Sequence, residues 1–324
     1  MGSTWAIGID VGGTKILAVA VPADDPSHSP AGDLLGTGAE GACHAERVET
    51  PGDAESFAIA VVGLVSDLVE RVGTRPSAIG IGLPGFVDHA GVLVRAPNAP
   101  GIVGLDVAAV LGPHTGVPVW VDNDANCAAW AMSVYDVPGA TTVVGIMLGT
   151  GIGGGLVVDG SLHRGRHGFA GEVGHMIVDA DGPACPCGQR GCWEVWASGQ
   201  GLGRLARVAA IAGEIPELVL AHGADLTGPD VTAAARRGHP EGLALLERHA
   251  GWVAVGLVGL INLLDPDAVV LGGGITADAD LLAGSVAEAL EGYPTMAGRS
   301  DVVRFGSLGP IAAAVGAGRL ALGM

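Results

Sequence analysis

Aromatic residues are scarce in this chain, at 4% of 324, so it lacks the side chains that stack on the bases of single-stranded nucleic acid. Positive charge is scarce too. Sixteen Lys and Arg stand against thirty-four Asp and Glu, and a net charge of −18 repels nucleic-acid phosphate over most of the surface. A strand-like run starts at Trp5 with no basic segment and no secretion-type apolar stretch before it, so a cytoplasmic location is expected. The most apolar long segment, residues 250–264, contains Gly251, Gly256 and Gly259. It is shorter than the roughly twenty residues that span a bilayer, which argues for a buried helix and against a membrane partner. Cysteine is sparse and odd in number, with three of five (Cys185, Cys187 and Cys192) inside eight positions. That spacing suits a metal in a reducing compartment better than disulfides.

What the chain has in quantity is apolar surface and glycine. Hydrophobic residues make up 49% of a chain longer than one core usually supports, so two domains are expected. The 56 glycines point to many close backbone approaches.

The start reads as strands at 5–9 and 16–21 joined by the turn Asp10-Val11-Gly12-Gly13-Thr14-Lys15. Phe57, Val61, Val65, Leu68 and Val72 recur at helical spacing and predict a helix over 54–72, capped by Asp53 and ended by Gly73. Strands at 78–83 and 117–121 follow, and then a helix opened by residues 122–126. A second hairpin spans 142–159 around the glycine-rich turn 149–155, and a strand at 268–271 leads into Gly272-Gly273-Gly274 before a terminal helix at 311–322. These elements describe two α/β halves, divided near residue 123, sharing an interface around a cleft.

The first turn is not a P-loop, because Thr14 precedes Lys15 and a strand follows where a helix is required. The run from Gly149 to Gly154 satisfies the G-x-G-x-x-G spacing, but it too leads into a strand, which excludes a dinucleotide site. Both turns instead offer amide hydrogens without Cβ obstruction, with hydroxyls from Thr14 and Thr150, a pairing able to clamp a triphosphate. Gly272 to Gly274, between strand and helix, can seat the adenosine or a phosphate at a helix N-terminus.

Cys185, Cys187 and Cys192 with His175 supply three thiolates and an imidazole, the donor set of a closed tetrahedral zinc site. Such a site is structural and activates no water. The segment Asp122-Asn123-Asp124-Ala125-Asn126 begins like a calcium loop, but Cys127 and Ser133 stand where glycine and glutamate belong. A carboxylate at the end of a buried strand is suited to act as base for an alcohol nucleophile, and sequence chemistry leaves Asp122 and Asp124 both open, with a helix N-cap as the alternative role.

Taken together, the motifs DVGGTK (10–15), NDAN (123–126), GTGIGGG (149–155), GEVGH (171–175) and CPCGQRGCWE (185–194) resemble those of the ROK family of repressors, open reading frames and kinases, in order and over essentially the whole chain. The resemblance implies an α/β, two-domain actin-like ATPase (ribonuclease H-like) fold with a central cleft and a small zinc-binding loop. It implies domains at 1–122, joined by the C-terminal helix 310–324, and at 123–309, with the zinc loop at 175–194. By position it makes Asp124 the base that takes the proton of a hexose 6-hydroxyl attacking the γ-phosphate of ATP. Asn98, Asn123, Asp124, Glu172, His175 and Glu194 become the sugar contacts. Asp10, Gly12, Gly13, Thr14 and Lys15, with Gly149, Thr150 and Gly151, would hold ATP and Mg2+, Asp10 reaching the ion directly or through water. His175 would give one ring nitrogen to structural zinc and the other to a sugar hydroxyl. Glucose is the expected substrate, with fructose, mannose and N-acetylated hexosamines as alternatives and a sugar-sensing regulator as the reading from another class. The nine residues before Asp10 leave no room for the winged-helix segment of ROK repressors, and a homodimer or homotetramer is expected.

Overall fold

The computed structural model describes residues 4–23 and 45–323. The chain begins with β1 (Trp5–Val11), β2 (Lys15–Pro22), β3 (Ala45–Glu49), α1 (Ala54–Val72), β4 (Ala78–Leu83), β5 (Phe86–Val87) and β6 (Leu93–Arg95). It continues through α2 (Val107–Thr115), β7 (Val119–Asn123), α3 (Asp124–Tyr135), β8 (Val143–Leu148), β9 (Ile152–Val158) and β10 (Ser161–Leu162). Helices α4 (Trp193–Ala197), α5 (Gly199–Ile211), α6 (Pro216–His222), α7 (Gly228–Arg236) and α8 (Pro240–Leu264) come next. Strand β11 (Ala268–Gly272), α9 (Ala279–Glu291), β12 (Val303–Phe305) and α10 (Ala312–Ala321) close the chain. Two five-stranded sheets form, ordered β3-β2-β1-β4-β7 and β10-β9-β8-β11-β12.

The chain divides into two compact units, one of residues 1–145, 155–171 and 306–324, the other of residues 146–154 and 172–305. The division lies beyond the expected residue 123, because α3 packs against α10 and so stays with the N-terminal sheet.

In the first unit β1 runs antiparallel to β2 and parallel to β4, which is parallel to β7. Ile7, Ile9, Ile79 and Ile81 share a core with Phe57, Val61, Leu64 and Leu68 of α1. The alternate residues Gly8 and Gly80 meet the backbone of α10 at Ala314 and Ala317, where a Cβ would overlap carbonyl oxygens. Period-two alternation thus gives one sheet face to α1 and the other, stripped of side chains, to α10. Helix α1 has the predicted ends: the Asp53 carboxylate accepts from Ser56 N at 2.9 Å, and Gly73 stops the helix at φ 75°. Strand β7 lies two residues later than predicted, since its register with β4 runs from Ile79↔Val119 to Leu83↔Asn123.

In the second unit, α5 to α9 bury Leu202, Leu205, Leu218, Val231, Leu245, Leu246 and Leu282 together. By length and composition α8 could cross a membrane, but 61% of its most apolar window is buried inside the protein. Ala250, Val253, Leu257 and Ile261 are among its buried residues, so it is a core helix, longer than the predicted apolar stretch.

Candidate active site

In the first unit, Asp10 is the penultimate residue of β1, beside the turn at 12–14. Gly12 N donates to Lys15 O at 2.9 Å and Thr50 Oγ1 donates to Gly12 O at 2.7 Å, which fixes the turn, and Gly13, Thr14 and Lys15 are exposed at its tip. Asn98 lies against this turn, its Cβ 3.3 Å from where a Gly13 side chain would begin. Burial pushes the Asp10 carboxyl up to about 6, and the charge of Arg47 opposes this only in part. A half-buried carboxylate with so little compensation is suited to a divalent cation, so the residues fit Mg2+ at Asp10.

Register puts Asp10 opposite Gly82 and Gly82 opposite Asp122, and two residues beyond Asp122 the chain turns into α3. The N-cap is Asn123, whose Oδ1 accepts from Asn126 N at 2.9 Å. Neither aspartate is the cap. Asp122 is buried and committed: its Oδ2 accepts from Arg164 Nε at 2.6 Å and its Oδ1 from Asn126 Nδ2 at 3.0 Å. Asp124 occupies the first helical turn, and its Oδ1 accepts from Asn123 Nδ2 at 3.0 Å and Ala125 N at 2.8 Å. A carboxylate there also lies at the favourable end of the helix dipole.

The second unit contains the tip of the other hairpin. Its turn is tighter than predicted, Gly149 to Gly151, because residues 152–155 are already strand. Gly149 N donates to Gly151 O at 3.0 Å, and Gly199 N, at the start of α5, donates to Gly149 O at 2.8 Å. Gly155 belongs to the first unit, where it packs on Ala125 and Ala129 of α3 and is not a phosphate-turn residue. Glu194 Oε2 accepts from Ile152 N at 2.8 Å, occupying the space that a side chain at residue 151 would need. Glu172 faces His175, Oε2 to Nε2 at 4.0 Å. Burial holds its carboxyl above the usual range, the charge of His175 opposes this, and that of Glu194 adds to it.

The donor atoms of His175, Cys185, Cys187 and Cys192 all lie within 4.8 Å of one another. Cys187 Sγ is 3.6 Å from Cys192 Sγ and Cys185 Sγ 3.9 Å from His175 Nδ1, against about 3.8 Å between thiolates on a tetrahedral zinc. Burial, reinforced by Cys187 and Cys185, pushes the Cys192 thiol up to about 12. Thiols gathered this way ionise when a dication supplies the missing charge, so the donor set fits zinc. Nδ1 is the nitrogen turned to the cluster, and Nε2 is turned to Glu172. The loop is held by short backbone bonds, Cys185 N to Gln189 O at 2.8 Å and Trp193 N to Met176 O at 2.7 Å.

A cavity of about 660 Å³ in the second unit runs from Gly149 and Thr150 past Gln200, Arg207, Thr227, Thr232, Asp278 and Gly274. Its volume suits a nucleoside. Of the predicted glycine triplet, Gly274 lines this cavity, Gly272 ends β11, and Gly273 turns the chain at φ 81° against Leu148. Sequence reasoning missed Gln200 and Arg207 of α5, Thr227 and Thr232 at the start of α7, and Asp278 before α9, which come from three segments and share no spacing. It also missed Arg164, whose one sequence signal is a basic side chain close before the GEVGH motif.

The fold is that of the actin-like ATPases, and the relatives place the chain among their sugar kinases. A glucokinase of Streptomyces coelicolor is 36% identical over 288 residues, 85% of this chain and 84% of that one. An N-acetyl-D-glucosamine kinase of Shigella boydii is 33% identical over 246 residues, 71% of this chain and 76% of its own. Among solved structures, the ROK family glucokinase of Streptomyces griseus, in complex with glucose and AMPPNP, superposes with a TM-score of 0.79 at 33% identity, covering 99% of this chain and 100% of that one. The ROK family model matches residues 6–323, and the chain belongs to the ROK family.

Proposed function

We propose that this protein phosphorylates a hexose at its 6-hydroxyl from ATP, with glucose the preferred acceptor. In this reading Asp124 takes the hydroxyl proton as the hydroxyl oxygen bonds to the γ-phosphorus, and the bond from that phosphorus to the β,γ-bridging oxygen breaks to release ADP. The commitment of Asp122 to Arg164 carries the assignment: of the two aspartates, one is neutralised in an ion pair and the other stands at the helix start. Asn98, Asn123, Glu172, His175 Nε2 and Glu194 would read the sugar hydroxyls, and a sugar lacking one would leave a buried polar group unpaired. Gly12, Gly13, Thr14, Lys15, Gly149, Thr150 and Gly151 would hold the phosphates, with Gly272, Gly273 and Gly274 toward the nucleoside. Magnesium held at Asp10 would supply charge neutralisation on the phosphates. Zinc held by Cys185, Cys187, Cys192 and His175 would brace the imidazole. The protein would act in the cytoplasm as a homodimer or homotetramer.

The glucokinase relatives support glucose, and kinship at 33% identity with an N-acetylglucosamine kinase makes that sugar the specific competitor. The test is kcat/KM for glucose, mannose, fructose and N-acetylglucosamine with ATP, alongside Asp124→Asn. Glucose should lead the series and Asp124→Asn should lose turnover while still binding sugar. A variant at full speed would remove Asp124 from the chemistry, and a higher ratio for N-acetylglucosamine would transfer the assignment to that substrate.

A further inference from the structure

Asp122 is 5% exposed, yet it carries a charge two residues from the proposed base. A buried carboxylate is tolerated only with a partner and with its lone pairs satisfied, and here the partner is Arg164. The bonds form a chain. Arg164 Nε donates to Asp122 Oδ2 at 2.6 Å, and Asp122 Oδ1 accepts from Asn123 N at 2.8 Å and Asn126 Nδ2 at 3.0 Å. Asn123 caps α3 and donates from Nδ2 to Gly85 O at 2.9 Å and to Asp124 Oδ1 at 3.0 Å. The links run from Arg164 through Asp122 to Asn123 and Asn126, which flank the base, and from Asn123 to Asp124 itself, so the position of the Asp124 carboxylate depends on where Arg164 holds Asp122.

Arg164 is itself held. Its guanidinium carbon lies 5.5 Å from the ring centroid of Trp120, two residues before Asp122 on β7, which is an edge strand. Arginine stacked on an aromatic face and bonded through Nε has little freedom left, and lysine cannot reproduce that fork. Nearby charge acts on Cys127 in both directions: after burial, Asp122, Asp124 and Asp10 all push its thiol upward, and Arg164 opposes them. Beside the pair lies a cavity of about 240 Å³, lined by Arg164, Asp122, Trp120, Val121 and His89, large enough to admit a guanidinium ion.

We propose that Arg164 is a positioning residue for phosphoryl transfer, orienting the base Asp124 through Asp122 and the Asn123 cap. This rests on the reading of Asp124 as the base. The experiment measures kcat and KM with glucose and ATP for Arg164→Ala, Arg164→Lys and Trp120→Ala, together with Asp124→Asn and a thermal melt of each. Displacing a catalytic group by an ångström costs roughly a hundredfold, so Arg164→Ala should lose about that factor in kcat with both KM values little changed. Arg164→Lys should recover part of it, Trp120→Ala should lose less, and millimolar guanidinium should restore kcat to Arg164→Ala through the cavity. Full kcat in a folded Arg164→Ala, a loss confined to KM, or failure of both lysine and guanidinium to restore turnover would overturn the proposal. If Arg164→Ala does not fold, Arg164→Lys and Trp120→Ala decide it, and unchanged kcat in both would count against it. Turnover surviving in Asp124→Asn would instead bring down the base assignment, whereas an inert Asp124→Asn beside a fast Arg164→Ala would sink the positioning role alone.

Discussion

Gly82 faces Asp124 across β4 and the start of α3, so closely that a Cβ on Gly82 would stand 3.2 Å from the Asp124 Cα and 3.6 Å from its Cβ. It also stands between Asp10 and Asp122 in the strand register. The absence of a side chain at residue 82 is therefore what lets the proposed base approach β4, the neighbour in the sheet of the strand that carries Asp10.

Gly82→Ala should accordingly leave a folded protein with damaged turnover. The added methyl contacts backbone, which gives less readily than the end of a side chain, so α3 must shift by a few tenths of an ångström. We expect a fall in kcat of about tenfold to a hundredfold with a modest fall in melting temperature. Steady-state kinetics on the purified variant checks this, and wild-type kcat would refute it.

The charge on Asp10 gives a pH-dependent prediction. Its folded pKa of about 6 lies above the ordinary 3.8, so the native state binds the proton more tightly than the unfolded chain does. In the absence of nucleotide and magnesium, this contribution is fully present below about pH 4 and is lost as pH rises toward 6, up to about 3 kcal/mol. Asp10→Asn should flatten that slope and melt higher than wild type at pH 7 to 8, while losing activity with ATP. Melting curves across pH 4 to 8 test the sign.

Zinc analysis should find about one ion per chain. Cys187→Ser, or stripping with a chelator, should lower the melting temperature and weaken hexose binding more than nucleotide binding, because His175 loses its brace at Nδ1. Elemental analysis with calorimetric titration of glucose reads both effects. A metal-free preparation with unaltered sugar affinity would remove zinc from the account.

Gly151→Ala should act on the sugar side of the same unit. The new methyl competes for the place of Glu194 Oε2, which bonds Ile152 N at 2.8 Å, so the carboxylate must move. Glucose KM should rise by about tenfold or more, consistent with the loss of a charged hydrogen bond worth about 1.5–3 kcal/mol. Because Gly151 is also a proposed phosphate contact, KM for ATP should rise as well, and an unchanged KM for glucose would argue against a sugar role for Glu194.

Much was legible in the residues because it is local. The helix at 54–72 follows from one apolar stripe between Asp53 and Gly73, and the Cys3His cluster from four donor residues within eighteen positions. Both glycine-rich turns and the NDAN segment are contiguous, and the order of Thr14 and Lys15 suffices to exclude a P-loop. Long-range pairing was not legible. Asp122 and Asp124 are equivalent candidates in one dimension, and they are told apart by Arg164, forty-two residues away, and by a helix cap that falls on the asparagine between them. The unit division, set by α3 packing on α10, and the cavity wall of Gln200, Arg207, Thr227 and Asp278 depend likewise on contacts between distant segments. Composition, turn chemistry and donor type act over a few bonds and can be read from the chain. Which aspartate is paired with Arg164, and which opens α3, depends on contacts of a few ångströms that exist only after folding.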